Sequence, residues 1–523
     1  MPESRPPVIF HPFVVAFFPL LSLYLHNAGK LYFSEVVPPL LLALLLSAAF
    51  WWITTRLLKD VQKAAIVTTA FFALFFTYGH LLPLLERSLR GLWPALTLDS
   101  TGALALLLGC LVGFWLLLIW LLVRAVLNFR VINQFLNGFA IALIIILAYR
   151  FGAFVRYREM LWRQADAVAA YEPVTAVGNV SVRPDIYYIV VDGYGRADVL
   201  LDLYDLDTTD FLGFLRERGF YTARQSNANY NITLLSLAST LNFDYLDPVA
   251  AQLDPDSTNP LPVFNLIQHN RLMQYFQAQG YTVVNFATGY TATELAIADV
   301  KRGPTSSLSA FENALINTTP LRLFLSRKQF DSHRDKILYT LEHLPDATQI
   351  EGPVFVFAHI VAPHPPFVLA ADGTALYPDM GFVIDDGDAL THRLSREAYL
   401  RGYREQAQFM SRSLEQALSQ ILAQSSSPPI IILQGDHGPG AYLDWESLEN
   451  SNVRERLGIL NAYYFPDQEY SALYPTISPV NSFRVVLNQY FGAAYPLLED
   501  RNYFALMAQP YRFMEVTQQV LVP

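Results

Sequence analysis

Across the first 160 residues the apolar positions run in long blocks rather than alternating. Five segments carry no charged side chain, between Arg5 and Lys30, Glu35 and Arg56, Lys63 and Glu86, Asp99 and Arg124, and Arg130 and Arg150. Each is about as long as the roughly 20 residues an α-helix needs to cross a bilayer core. A helix buried in a soluble domain would show a polar face every 3.6 residues. Stretches such as "PPLLLALLLSAAFWW" and "LALLLGCLVGFWLLLIWLL" have none. The pattern predicts a transmembrane domain of five helices over residues 1–160. Four further apolar segments follow the first, and no small-residue cleavage site marks it, so it is read as a retained helix and not a signal peptide.

From 161 to 183 the composition is mixed and without period, and this stretch reads as a linker. From Pro184 short β-rich runs alternate with helical ones. "DIYYIVVD" precedes the helical "TTDFLGFLRERG", whose Gly219 sits where a helix C-terminus needs it. The helical "LMQYFQAQG" precedes "YTVVNFA", "KILYTLEHL" precedes "PVFVFAHI", and an amphipathic stretch from Arg396 to Leu422 precedes "PIIILQ". Later "ILNAYYF" reads as a strand and "SFRVVLNQYFG" as a helix. Continuously apolar strands separated by helices predict an α/β/α sandwich with a mostly parallel central sheet, here over residues 184–523.

Charge sharpens the division. Residues 1–160 hold 12 of the 36 basic and 6 of the 46 acidic side chains, a balance of +6, which leaves 24 basic and 40 acidic residues, −16, for the remainder. An acidic second half argues against nucleic acid as a partner. The short loops then orient the helices. With the N-terminus inside, the cytoplasmic segments hold six Lys/Arg (Arg5, Arg56, Lys59, Lys63, Arg124, Arg130) against three outside (Lys30, Arg87, Arg90). Five crossings therefore place the α/β domain on the extracytoplasmic side of the cell (inner or plasma) membrane. Of the few polar groups within the apolar segments, His80 and Asn137 are the obvious candidates for a pathway, and both read rather as interfacial or helix–helix contacts. The single cysteine, Cys110, excludes an internal disulfide framework.

In open α/β sheets ligands bind beyond the carboxyl ends of the strands. Three expected strands end there in groups able to bind a metal or carry charge. "IYYIVV" runs into Asp192-Gly193, "PIIILQ" into Gly435-Asp436-His437-Gly438, and "PVFVFA" into His359, with His364 five residues on. The segment Ser226–Leu246 is dense in amides and hydroxyls and then turns helical. It could supply a hydroxyl nucleophile at a helix N-terminus or merely a polar cap. Asn229 lies within this segment, just ahead of Thr233, and Arg454 and Arg456 follow the Asp436-His437 loop. These three are candidates to hold substrate, the arginines by clamping phosphate bidentately.

Together, Asp192-Gly193, Thr233–Ser236, "HIVAPH" (His359–His364) and "GDHG" (Gly435–Gly438) resemble the alkaline phosphatase superfamily. The closest likeness is to its membrane-bound sulfatase-like branch of lipoteichoic acid synthases and phosphoethanolamine transferases, over roughly Pro184 to Gly492. The resemblance implies one divalent metal, zinc or manganese, held by Asp192, Thr233, Asp436 and His437. Thr233 would be the nucleophile, with Ser236 the runner-up. His364, and less directly His359, would lie on the substrate side. It further implies a phospho-alcohol transferase of phosphoglycerol or phosphoethanolamine type, acting through a covalent phospho-threonine on a membrane lipid donor and an envelope glycan or lipid acceptor. A hydrolase of phosphate or sulfate esters on the same site is the first alternative, a non-catalytic membrane binding protein the second. The sulfatase motif Cys/Ser-x-Pro-x-Arg is missing: Leu235 stands where its proline would be, and Cys110 lies in an apolar segment. No histidine follows His437, so a second metal site would lack a late ligand.

Overall fold

The computed structural model describes residues 8–27, 31, 33–92, 100–167, 183–377 and 382–520. The chain forms two compact units. One is Met1–Met160 with Leu308–Gln329 and Met380–Phe382; the other is Leu161–Ser307, Phe330–Asp379 and Val383–Pro523. Of the linker expected over 161–183, residues 161–167 are helical and 168–182 lie outside the described residues.

The first unit contains α1 (His11–His26), α2 (Val37–Leu58), α3 (Val61–Leu92), α4 (Ser100–Arg124) and α5 (Phe129–Ala167), the last of which runs on past this unit. Among the described residues, four spans are long and apolar enough to cross a membrane: Phe33–Leu58, Val61–Leu81, Ala105–Arg124 and Phe129–Met160. The expected first crossing is shorter. Helix α1 has 16 residues and rises about 24 Å. It starts only at His11, with Pro12 in its first turn, where the missing N–H goes unneeded. It still packs inside the bundle, burying Val14, Val15, Ala16 and Leu20. Its start is pinned to its neighbours. His11 Nδ1 lies 2.5 Å from Thr69 Oγ1 of α3, and Nε2 lies 2.8 Å from Asn133 Oδ1 of α5. Asn137 accepts from the Phe10 and His11 amides and donates to the Val8 carbonyl, so it joins α5 to the chain entering α1. Helices α1, α3 and α5 therefore begin at the same end of the bundle.

A short helix from far along the chain, Ala310–Asn317, belongs to this unit although the boundary read at 184 assigns it to the α/β part. Phe311 is fully buried in a cluster with Val15, Leu20, Tyr24 and Phe76. Its amide donates to Glu35 Oε2 at 3.0 Å. The Thr318 carbonyl, just after this helix, accepts from Gly79 N of α3 at 3.1 Å. A Cβ on Gly79 would fall 2.7 Å from that oxygen, so the approach requires glycine.

The second unit is built on a seven-stranded sheet. Its strands are β1 (Ile186–Val191), β2 (Tyr221–Thr222), β3 (Thr282–Phe286), β4 (Val300–Arg302), β5 (Val354–Ile360), β6 (Ile430–Gln434) and β7 (Asn461–Tyr464), in the order β2-β7-β6-β1-β5-β3-β4. The five strands β6, β1, β5, β3 and β4 pair in parallel; β7 and β2 close one edge antiparallel. All six residues of β1 are buried, as an apolar run covered on both faces requires. On one face Ile186, Tyr188, Val190, Phe355 and Phe357 join a core with the helices Thr233–Asn242, Arg271–Ala278 and Pro479–Phe491. A separate hairpin, β8 (Tyr503–Leu506) with β9 (Gln509–Glu515), has no counterpart in the sequence reading.

Phe276, fully buried, stacks on Phe355 with ring centroids 4.9 Å apart and meets Phe491 edge-on at 5.2 Å. Phe276→Ala removes this contact between sheet and helices and should cost about 3–5 kcal/mol. A fluorescence melt of the purified chain should show a clearly lowered midpoint.

Candidate functional site

The site grows from the ends of β1 and β6, which lie side by side in register from Ile186 opposite Ile430 to Val190 opposite Gln434. The two chains therefore leave the sheet next to each other. After β1, Asp192 is held by its own backbone: its N–H donates to the Ile360 carbonyl, and its C=O accepts from His364 N. Gly193 turns at φ +73°, a conformation that favours glycine, and its N–H donates to Asp436 Oδ1 at 3.1 Å. After β6, Gly435 and Gly438 flank Asp436-His437 for a steric reason. A Cβ would fall 2.5 Å from the Tyr194 carbonyl oxygen at Gly435 and 2.0 Å from the Glu455 carbonyl oxygen at Gly438. The "GDHG" spelling is thus the mark of a loop squeezed between two backbones.

Thr233 is the first residue of the helix Thr233–Asn242. Its N-terminal turn is tied to the same loop, because Ser236 Oγ donates to the Asp436 carbonyl at 2.6 Å. Thr233 Oγ1 lies 2.9 Å from His437 Nε2. His437 Nδ1 is 2.9 Å from the Gly438 carbonyl, so Nδ1 carries the proton and Nε2 a lone pair. That lone pair also faces Asp436 Oδ2 at 3.4 Å and Asp192 Oδ1 at 3.6 Å. Ligand atoms of Asp192, Asp436 and His437 all lie within 4.8 Å of one another, and all three residues are buried. Asp192 Oδ1 and Asp436 Oδ2 accept no hydrogen bond among the described residues. Two orphaned carboxylate oxygens and an imidazole lone pair, buried and converging beside a hydroxyl, form a donor set that fits a divalent cation.

The charges are mutually adjusted. Burial would raise the Asp192 carboxyl. The charge of His364, a hydrogen bond from His359 and the charges of His437 and His359 outweigh it and hold the group well below the usual carboxylate range. Burial, then the Arg456 guanidinium, push the His437 imidazole below its ordinary value, against Asp436 and Asp192. His364 moves the other way: burial opposes its charge, but Asp192 and Asp386 raise it. A pocket of about 460 Å³ opens here, lined by Asp192, Thr233, Tyr290, His364, Asp386 and Arg456 among others.

The structure sorts the substrate candidates. Arg456 lines the pocket, its Nη1 on Asp386 Oδ2 at 2.6 Å and its Nη2 on His437 Nε2 at 3.1 Å. His364 lines the pocket with Nε2 3.9 Å from Asp386 Oδ2. Arg454 does not; it lies in ion pairs with Asp198 at 2.9 Å and Asp202 at 2.7 Å. Asn229 is also turned away. Its amide nitrogen donates to Ser478 Oγ and the Arg501 carbonyl, and its oxygen accepts from Val480 N. His359 stands behind Asp192, with Nε2 3.2 Å from Asp192 Oδ2 and Nδ1 3.0 Å from Thr293 Oγ1. It can orient that carboxylate but does not line the pocket. Ser236 has its hydroxyl turned onto the Asp436 carbonyl, away from the pocket lined by Thr233. Asp386 is the residue that sequence reasoning missed. Besides Arg456 it takes a hydrogen bond from Tyr399 Oη at 2.6 Å. Its only signal was the acidic run Asp385-Asp386-Gly387-Asp388.

Residues 184–478, more than half of the chain, match the family model for sulfatases. The chain belongs to the sulfatase family, within the alkaline phosphatase superfamily. No curated protein matches it. Among solved structures it is similar to the zinc-bound C-terminal periplasmic domain of EcEptC from Escherichia coli, at 11% identity and TM-score 0.44, over 66% of this chain and 96% of that one. It is similar to the integral membrane lipooligosaccharide phosphoethanolamine transferase A of Neisseria meningitidis, at 12% identity and TM-score 0.40, over 91% and 95%. It is also similar to a 2-O GAG sulfatase, at 12% identity and TM-score 0.39, over 63% and 74%.

Two predictions follow from the loop after β6 and its support. Gly438→Ala must displace either Glu455 or His437, and should lower both the divalent metal retained by the purified chain and its melting temperature. Glu455 is fully buried, accepts from the Tyr204 hydroxyl and from Tyr442 N, and burial pushes its carboxyl up to about 8 from 4.5. Between these values the folded protein keeps a proton that the unfolded chain releases, so rising pH favours unfolding. Melting temperature should fall from pH 5 to pH 8, less steeply in Glu455→Gln.

Proposed function

We propose that this sulfatase-family protein transfers a phospho-alcohol group, phosphoglycerol or phosphoethanolamine, from a membrane lipid to an envelope glycan or lipid through a covalent phospho-threonine at Thr233. One observation carries the reading: the Thr233 hydroxyl stands at a helix N-terminus, 2.9 Å from a buried neutral imidazole and beside two carboxylates with unpaired oxygens. A binding site for a cation alone has no need of an alcohol there. Apolar helices on the same chain support a lipid donor, since they confine the site near the bilayer and raise the donor's effective concentration. The extracytoplasmic orientation rests on the positive charge of the inner loops.

Asp192, Thr233, Asp436 and His437 would hold one divalent metal, zinc or manganese. When bound it supplies positive charge that stabilises a threonine alkoxide and the phosphoryl oxygens. Thr233 enters as its alkoxide. Its Oγ1 forms a bond to phosphorus as the bond from phosphorus to the lipid glycerol oxygen breaks. His364, whose charged form Asp192 and Asp386 favour against burial, gives its proton to the departing oxygen. The acceptor alcohol then returns a proton to His364 and attacks phosphorus, and the Thr233 Oγ1–P bond breaks. Arg456, aimed into the pocket and braced by Asp386, neutralises a phosphoryl oxygen. Water in the acceptor's place would make the same site a hydrolase. Sulfate ester cleavage through formylglycine is disfavoured because threonine occupies the nucleophile position.

Incubating the purified chain with phosphatidylglycerol or phosphatidylethanolamine should add the phospho-alcohol mass to Thr233, and acceptor glycan should discharge it. Thr233→Ala should abolish the adduct and reduce turnover by about 10³-fold or more. Asp192→Asn and Asp436→Asn should lose both metal and adduct. Release of free phospho-alcohol with the acceptor untouched would establish the hydrolase instead, and unaltered envelope chemistry in Thr233→Ala would leave a binding protein.

A further inference from the structure

The helical unit contains a second cleft, of about 640 Å³, that the chemistry above does not use. It runs along three helices. From α1 it takes Val15, Phe18, Pro19, Ser22, Leu23 and His26, and from α3 Thr69, Ala73, Phe76, Thr77 and His80. Both sets follow the spacing of one helical face over 12 residues, whose ends lie about 16 Å apart. That matches the roughly 15 Å depth of one leaflet's hydrocarbon. The α5 wall runs from Leu136 to Arg150, and Leu315 and Thr318 of the inserted segment complete the lining.

The polar groups are segregated within it. Three lining hydroxyls are already engaged: Thr69 with His11, Thr77 with the Ala73 carbonyl at 2.7 Å, and Thr318 with the Ala314 carbonyl at 3.1 Å. What remains is His26, His80 and Arg150 with its partner Ser22. Because α1, α3 and α5 begin together, these three lie toward the opposite, shared end. The Arg150 guanidinium, half-buried, donates to Ser22 Oγ at 2.6 Å and pairs with no carboxylate among the described residues. A guanidinium has five N–H donors, and an arginine within an apolar bundle without a counter-ion is a binding group awaiting an anion.

We infer that this cleft holds one membrane phospholipid, its acyl chain along the α1/α3/α5 face and its phosphodiester on Arg150. A phosphodiester is the anion a bilayer presents at the end of an acyl chain, and its oxygens fit the guanidinium fork. The site goes beyond the transfer reaction at Thr233 and does not depend on it.

The test uses the full chain in maltoside micelles, which contain no phosphate, with phosphatidylglycerol bearing a diazirine at its acyl terminus. Diacylglycerol with the same chain is the control. Irradiation and peptide mapping should place phosphatidylglycerol crosslinks on the α1 and α3 lining, near Val15, Phe18 and Ala73. Arg150→Gln should reduce them at least five-fold, Arg150→Lys less, and diacylglycerol should label weakly. Equal labelling in Arg150→Gln, equal labelling by diacylglycerol, or crosslinks confined to α2 and α4 as by bulk lipid, would each overturn the inference. The Thr233 adduct measured in the same samples separates this outcome from failure of the transfer reading, and an unchanged melting temperature in Arg150→Lys excludes misfolding.

Discussion

Two carboxylates and a neutral imidazole converge in a buried pocket, and the organisation around the candidate site follows from that crowding. Like charges this close repel, and burial removes the water that would screen them. The protein meets the problem with fixed donors. Gly193 N–H holds one oxygen of Asp436, His359 stands against one oxygen of Asp192, and Arg456 borders His437. Each carboxylate keeps its other oxygen unpaired. One oxygen of each thus faces a fixed neighbour while the other is left open, an asymmetry that a structural ion pair does not need.

A second tier supports the first. Arg456 is fully enclosed and would be a severe penalty unpaired, yet it bonds Asp386, the Asn231 carbonyl and the Gly438 carbonyl. Through Asn231 it grips the segment that delivers Thr233, and through Gly438 the loop that delivers His437. The Thr233 hydroxyl and the His437 imidazole are thus registered to each other by one guanidinium. Asp386 divides its attention between Arg456 and Tyr399, and sets the electrostatic environment of His364 across the pocket.

How much of this the sequence disclosed depended on whether a residue's role was local. Asp192, Asp436 and His437 were legible because each follows an apolar run, and a parallel sheet brings such ends to one edge. Arg454 and Arg456 were not separable on paper. Two positions apart on the helix Val453–Leu457 they project about 200° apart, so only one can face the pocket. Asn229 carries a group suited to binding, but backbone partners some 250 to 270 residues away consume it. Asp386 lies in an irregular stretch, and its meaning comes from an arginine 70 residues on. The helix Ala310–Asn317 was invisible as part of the apolar unit because eight residues amid an α/β pattern carry no sign of what they will pack against.

The central place of β1 has a further consequence. Its neighbours on either side, β5 and β6, lead into His359, His364, Asp436 and His437, and its own end carries Asp192. Among the described residues, no edge strand brings a side chain into the cluster of Asp192, Asp436 and His437. Asp192, Asp436 and His437 therefore share one cooperative block with the buried central strands, and they part from one another on the timescale of global rather than local opening.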